Sequence, residues 1–230
     1  MKYLSALLAG FLVGVTLALT GLYFNPLTQT PGPLPAADDE VFTYGSPLTS
    51  ELVFTHGNFS RLPSYPTGVA DLWEGTINKS ALSVVLLRGA DGTAAIASRV
   101  SYPSEDTELL RNGALLTDDW VVSIPGQGSL FINGQSNWWP FLKEMLIPVW
   151  YLGRPWSGPS DYAPTVGPVN GVWALVSGAT GRFSGLTGTA AERYSVREFD
   201  YRVGPRQALT EIYWRLDEPA GTSATVAEAP

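Results

Sequence analysis

Cysteine is absent from the 230 residues. Neither a disulfide framework nor thiolate chemistry is therefore available, and cysteine usage says nothing about redox compartment. Histidine is nearly absent too. His56 is the sole imidazole, which excludes His-rich metal sites and obliges any Ser-His-Asp triad to use that one residue. Charge is sparse: Asp, Glu, Lys and Arg make up 15% of the chain, with a net charge of -7. The cations, mostly Arg, are scattered rather than clustered, which argues against nucleic acid as a partner. No G-x-G-x-x-G passes from a strand into a helix, and neither a G-x-x-x-x-G-K-[ST] loop nor a G-x-S-x-G elbow occurs. No series of helices alternates with strands, so a doubly wound sheet is not expected. No repeat of fixed period is evident.

Apolar and aromatic residues, by contrast, are plentiful. The chain is 45% hydrophobic with eight Trp, ten Tyr and nine Phe, enough for a sizeable core in one domain with extensions. Its clearest segment is "YLSALLAGFLVGVTLALTGLYF", Tyr3 to Phe24, 22 residues without a charge. That length spans a bilayer as a helix. Lys2 precedes it and the next charge is Asp38, so the positive-inside rule places the N-terminus in the cytoplasm and the remainder outside. A cleaved signal peptide is the alternative. The run is long for one, and Ala18-Leu19-Thr20 is a poor small-x-small site, which favours an uncleaved anchor over residues 1–24. Residues 25–40, "NPLTQTPGPLPAADDE", read as a Pro-rich tether. Residues 218–230 read as a disordered tail. The folded domain is expected over 41–217.

Within that domain, "ELVFTH", "ADLWEGTI", "LSVVLLR", "TAAIASRV", "DWVVSI", "SLFIN", "GVWALVS", "TAAERYSVREF" and "LTEIYWRL" read as strands separated by Gly, Pro, Asn and Asp turns. Asp91-Gly92 marks a hairpin. Many strands in succession predict an all-β antiparallel barrel or sandwich. One apolar helix interrupts them: "SNWWPFLKEMLIPVWYLG", with Ser136 and Asn137 as capping candidates, Gly153 as its end and Pro148 expected to end or kink it. Trp138, Trp139, Phe141, Met145 and Trp150 surround much of its circumference. It is read as a plug or cap on the barrel, the alternatives being a lid or a membrane-interface element. Asn58 and Asn78 each begin a glycosylation sequon, a pattern short enough to arise by chance.

"SGATGRFSGLTG", Ser177 to Gly188, sits between two strands and carries four glycines. It has no Lys, and a strand follows it, so it is no P-loop. Gly178 and Gly181 are expected to supply positive φ for a turn, Gly185 and Gly188 to permit a bend or close backbone approach, and Phe183 to turn inward as an anchor. The stretch resembles the G-G-T-G-[RKT]-[FY]-x-x-[AG]-x-G hairpin of the allene oxide cyclase and dirigent superfamily, with Ala179 in place of the second glycine. "IPGQGSLFING" and "LRGADGT" look like that family's earlier hairpins. The resemblance implies an eight-stranded antiparallel barrel with an apolar cavity that binds lipid-like or phenolic molecules, commonly without a cofactor. The helical insertion and the anchor depart from the family pattern.

Strand parity nominates the lining. Ala190, Glu192, Tyr194 and Val196 share the inward face, while Arg193 and Arg197 point out. Ile212, Trp214 and Leu216 are inward, as are Trp120, Val122 and Ile124, and Leu52, Phe54 and His56. Glu192 is the candidate catalytic group, because a carboxylate among apolar neighbours has a raised pKa. A structural partner such as Arg is the plainer reading. His56, Trp120, Tyr194 and Trp214 are the candidate ligand contacts, with plain core filling as the alternative. No metal site and no cofactor are expected. Two functional readings remain. One is a membrane-anchored barrel on the periplasmic or extracellular side that holds a hydrophobic molecule or docks to a membrane complex as an accessory subunit. The other is a cofactor-free cyclase or isomerase using Glu192. An open cavity with an inward carboxylate favours the enzyme, and a filled interior with an exposed aromatic patch favours the accessory role; a purely structural subunit, the third possibility, needs no cavity.

Overall fold

Short runs of β-branched and aromatic residues punctuated by glycine turns produce a meander that closes on itself. The computed structural model describes residues 2–24, 40–45, 52–58 and 62–217. Residues 25–39 of the expected tether and the 218–230 tail lie outside these, as does the rest of the sequon at Asn58. The apolar N-terminal run is one helix, α1 (Lys2–Tyr23). It is long and apolar enough to cross a membrane and is exposed along its length, as suits an anchor or a signal sequence.

The strands follow in chain order: β1 (Glu40–Gly45), β2 (Leu52–His56), β3 (Ala81–Gly89), β4 (Ala94–Pro103), β5 (Leu115–Ile124) and β6 (Gly128–Asn137). A helical insertion comes next, made of α2 (Trp139–Phe141), a π-helical turn (Leu142–Leu146) and α3 (Ile147–Leu152). The chain then forms β7 (Trp156–Tyr162), β8 (Thr165–Gly167), β9 (Ala174–Ala179), β10 (Thr187–Asp200) and β11 (Gly204–Asp217). Neighbours run in the order β1-β11-β10-β9-β6-β5-β4-β3 and are antiparallel, and β1 pairs back onto β3 through Phe42 and Thr43. The result is a closed eight-stranded barrel, which leaves no long free edge. β2, β7 and β8 lie off this ring, on β3, β10 and β6 respectively.

Three sequence expectations are corrected. "ADLWEGTI" is not a strand. It is a turn-rich connection in which Leu72 N–H donates to His56 O and both Ile77 and Asn78 N–H donate to Glu74 O. Its apolar residues alternate weakly, and Trp73 remains 66% exposed. β7 escapes the pattern because its WSGPSDY carries Gly, Pro and Ser with little apolar period, β8 because it is only three residues long, and β1 because it follows directly on the Pro-rich stretch. The helix starts after β6 rather than at Ser136, although Asn137 Oδ1 does accept from Trp139 N–H at 3.0 Å. Pro148 does not end the helix. It is the second residue of α3, directly after the π turn, where the change in hydrogen-bond register accommodates its missing N–H. Gly153 does end it, in the left-handed conformation (φ 62°), with its N–H on Val149 O.

Two apolar clusters hold the domain together. The first fills the barrel, with Phe42, Leu87, Val122, Leu130, Val176, Phe183, Ile212 and Trp214 among its members. Phe42 and Trp214 stack with centroids 4.5 Å apart, and each such buried side chain contributes about 1.5–3 kcal/mol. The second seats the helical insertion on β7 and β10, through Phe141, Met145, Leu146, Val149, Tyr162, Val196 and Phe199. The insertion is therefore a cap with one buried face. Its opposite side exposes Ile147, Tyr151 and Leu152.

The glycine-rich stretch is a corner. A 3-10 turn (Gly181–Phe183) connects β9 to β10, and Phe183 is 3% exposed in the barrel core. Gly181 has φ 64° and Gly185 φ 81°. A Cβ on Gly181 would also strike Gln127 O, and one on Gly188 would strike Arg215 O, each far inside van der Waals contact. Gly178 is the exception: its φ is ordinary, and a Cβ there would meet Phe131 Cδ2 at a comfortable 3.6 Å. Gly178 still belongs to β9, so the turn begins after it, and Gly181 and Gly185 are its two positive-φ positions.

Candidate functional site

Four strands deliver polar side chains into an otherwise apolar barrel. The alternation that buries Ala95 and Ala97 on β4 continues to Arg99, and the one that buries Trp120 and Val122 on β5 extends back to Asp118. β10 brings Glu192 between Ala190 and Val196, on the inward face that parity assigns to it. Arg99, Asp118 and Glu192 are 8%, 4% and 7% exposed.

Arg99 organises the group. Its Nε donates to Asp118 Oδ1 at 2.9 Å and its Nη2 approaches the same oxygen at 2.8 Å. Its Nη1 donates to Glu192 Oε1 at 3.2 Å. The guanidinium lies against two indoles, 5.0 Å from the Trp120 ring centroid and 5.7 Å from that of Trp138. Asp118 is further satisfied by the Ser101 hydroxyl at 2.5 Å and by the Ser136 hydroxyl. Trp138 Nε1 donates to Ser136 Oγ at 2.9 Å, so the first residue after β6 is tied down as a roof over the cluster.

Glu192 is the less satisfied of the two carboxylates. Burial pushes its carboxyl above the ordinary glutamate range. The Arg99 charge opposes that rise, and the neighbouring Asp118 charge adds to it. With one cation against two acids, the cluster carries a net negative charge when both are ionised, and protonation of Glu192 removes it. The Glu192 backbone N–H donates to Thr165 Oγ1 at 2.9 Å, fixing β10 against β8. Beside the carboxylates a residual cavity of about 20 Å³ is lined by Asp118, Trp120, Gly134, Thr165, Ala190 and Glu192. That is room for one water.

Of the four candidate ligand contacts, Trp120 alone reaches this cavity. Trp120 lines it and packs on Arg99. Trp214 is 1% exposed and stacked on Phe42, two residues along β11 from Ile212, the pair of Glu192. Tyr194 belongs to the second cluster, with its ring 5.5 Å from Trp138 and 5.7 Å from Phe141. His56 lies at the end of β2, off the closed ring, where Nδ1 is 2.7 Å from Gly57 O and Nε2 is 2.5 Å from Leu62 O. In either tautomer the ring N–H donates to one of these backbone carbonyls, so it is a structural clasp for the following loop and not a lining residue. Among the described residues no group of His, Asp and Glu is arranged to hold a metal ion.

Arg99, Asp118, Ser136 and Trp138 were not nominated from sequence, although two of them carried a signal. Asp118 shares the parity of Trp120, Val122 and Ile124, and extending that strand by two residues places it inside. Arg99 shares the parity of Ala95 and Ala97, but an Arg on a strand defaults to the solvent face. No family model matches the chain, and no curated protein or solved structure matches it.

Proposed function

We propose that this chain is a membrane-anchored accessory subunit. In this reading α1 holds the barrel on the non-cytoplasmic side, and the barrel docks to a membrane complex through its outer surface rather than processing a substrate within. The observation that carries it is the packed interior. Beside the inward carboxylates only about 20 Å³ is left, against the several hundred Å³ that a small-molecule site needs. The Arg99 cluster also has the character of a structural network, since every member bonds to another member. The hairpin resemblance to the allene oxide cyclase and dirigent barrels bears on the scaffold, and the small cavity beside Glu192 supports reading this barrel as something other than a ligand holder.

The cyclase reading retains one favourable observation, the raised carboxyl of Glu192 under the Trp138 roof. Mass spectrometry of full-length protein extracted in mild detergent distinguishes the two. The accessory reading expects no stoichiometric hydrophobic ligand, and migration of the chain in a complex heavier than itself on a native gel. A bound lipid or phenolic at one per chain would overturn it in favour of the cyclase. Orientation is tested separately: protease added to intact spheroplasts should degrade the barrel.

A further inference from the structure

The two ends of the barrel differ in what they show to solvent. β6 runs about 30 Å from the β5–β6 hairpin at Gly128 to the helical insertion at Asn137, so these features mark opposite ends. The hairpin end is built of polar turns around Asp91-Gly92, Gln127 and Thr180-Gly181-Arg182. The helix end is mixed: the connection from β4 to β5 exposes Glu105, Asp106, Glu108 and Arg111, but large apolar side chains stand out there as well. Ile147, Tyr151 and Leu152 project from the insertion at 44%, 89% and 65% exposure. Leu109, 41% exposed, lies in the connection from β4 to β5, beside Gly113, whose neighbours are Asn137 and Trp139. Trp73 lies in the connection from β2 to β3, which leaves and re-enters the sheet at this same end.

The C-terminal end of α1 meets this end of the barrel. Lys143 Nζ, on the insertion, lies 5.7 Å over the ring of Tyr23, the last residue of the candidate span. The exposed apolar residues of the insertion therefore stand near the end of a helix that carries no charge from Tyr3 onward and is exposed along nearly all its length. Trp and Tyr, an amphipathic Lys and aliphatic side chains beside a span are the composition that settles at the boundary of headgroups and acyl chains.

We infer that the barrel sits end-on against the bilayer, with Trp73, Leu109, Ile147, Tyr151 and Leu152 inserted into the interface and the hairpin end turned away. The occupant of this surface is lipid. The net charge of -7 means that apolar insertion, not attraction to anionic headgroups, carries the contact, so zwitterionic phosphatidylcholine suffices. This seating rests on the anchor reading above, and it leaves the barrel walls and the hairpin end as the surfaces open to a protein partner.

The absence of native cysteine makes the test clean. Tyr151→Cys, Trp73→Cys and Arg182→Cys are each labelled with an environment-sensitive fluorophore in the full-length chain. The chain is reconstituted in phosphatidylcholine vesicles with and without shallow spin-labelled lipid. Positions 151 and 73 should shift to the blue and be quenched, while position 182 should do neither. Retention of the chain after alkaline carbonate, with 151 and 73 as unquenched as 182, overturns the seating and leaves the anchor standing. Release of the chain by carbonate overturns the anchor and the seating with it. Two reporters on separate elements guard against local disturbance by either substitution.

Discussion

The hairpin end and the helix end of the barrel differ in what they bury and in what they expose. At the hairpin end the interior is apolar, with Phe42, Phe183, Trp214 and Leu130, and the outer turns are polar. At the helix end the interior is polar, with Arg99, Asp118 and Glu192, while the outside carries Tyr151, Leu152 and Trp73. One closed sheet thus supports two opposite solutions. The hairpin end follows the ordinary rule of a soluble barrel, whose stability comes from apolar packing inside. The helix end gives up part of that packing for a network whose members are each costly to bury alone. What this teaches is that inward parity fixes where a side chain points, while the partners waiting there decide whether a charge can stay.

The comparison is broken most severely at its polar pole. Arg99→Met leaves Asp118 and Glu192 buried without their cation. It should lower unfolding free energy by about 3–5 kcal/mol, read as a shift in urea midpoint. A triple variant with Arg99→Met, Asp118→Leu and Glu192→Leu should recover most of that loss. If the triple is as unstable as the single, the cluster is not an electrostatic unit. At the apolar pole, Phe183→Ala empties a side chain that is 3% exposed and should cost about 3 kcal/mol by the same measurement.

The corner beside it gives a smaller, internally controlled effect. Gly181→Val puts a β-branched residue at φ 64° and onto Gln127 O, a loss of about 2–3 kcal/mol. Gly178→Ala should cost under about 0.5 kcal/mol, because neither strain nor contact opposes it. Equal losses for the two would mean that the turn does not sit where its dihedral angles put it.

The sharper tests are gentler. Glu192 has a folded pKa above its unfolded one, so the folded state holds the extra proton more tightly. That contribution is fully present below the ordinary glutamate value and is lost as pH rises through the raised one. Stability should therefore fall with rising pH across that interval, and Glu192→Gln should remove this part of the slope. Chemical denaturation of both proteins from acid to neutral pH measures it, and parallel curves would contradict the assignment. Smallest of all, Tyr151→Ser should change stability by no more than about 0.5 kcal/mol, since the side chain is 89% exposed. On the proposed end-on seating, its effect is expected in the membrane contact instead.

Period, turn chemistry and length were enough to read much of this molecule. Alternation of apolar residues set Trp120, Val122, Ile124, Ile212 and Trp214 on the inner face, and the same parity put Glu192 there, because a strand has only two faces. Glycine spacing marked the 177–188 corner, and an uncharged run of bilayer length marked α1. Tertiary structure decided the rest. Only closure of the sheet brings Arg99 within reach of Glu192, 93 residues away, and no local pattern encodes that distance. Only packing of the insertion onto β7 and β10 determines that Trp138 roofs the cluster while Tyr151 faces out. A helix apolar nearly all round offers several faces to bury, and the surface that receives it makes the choice.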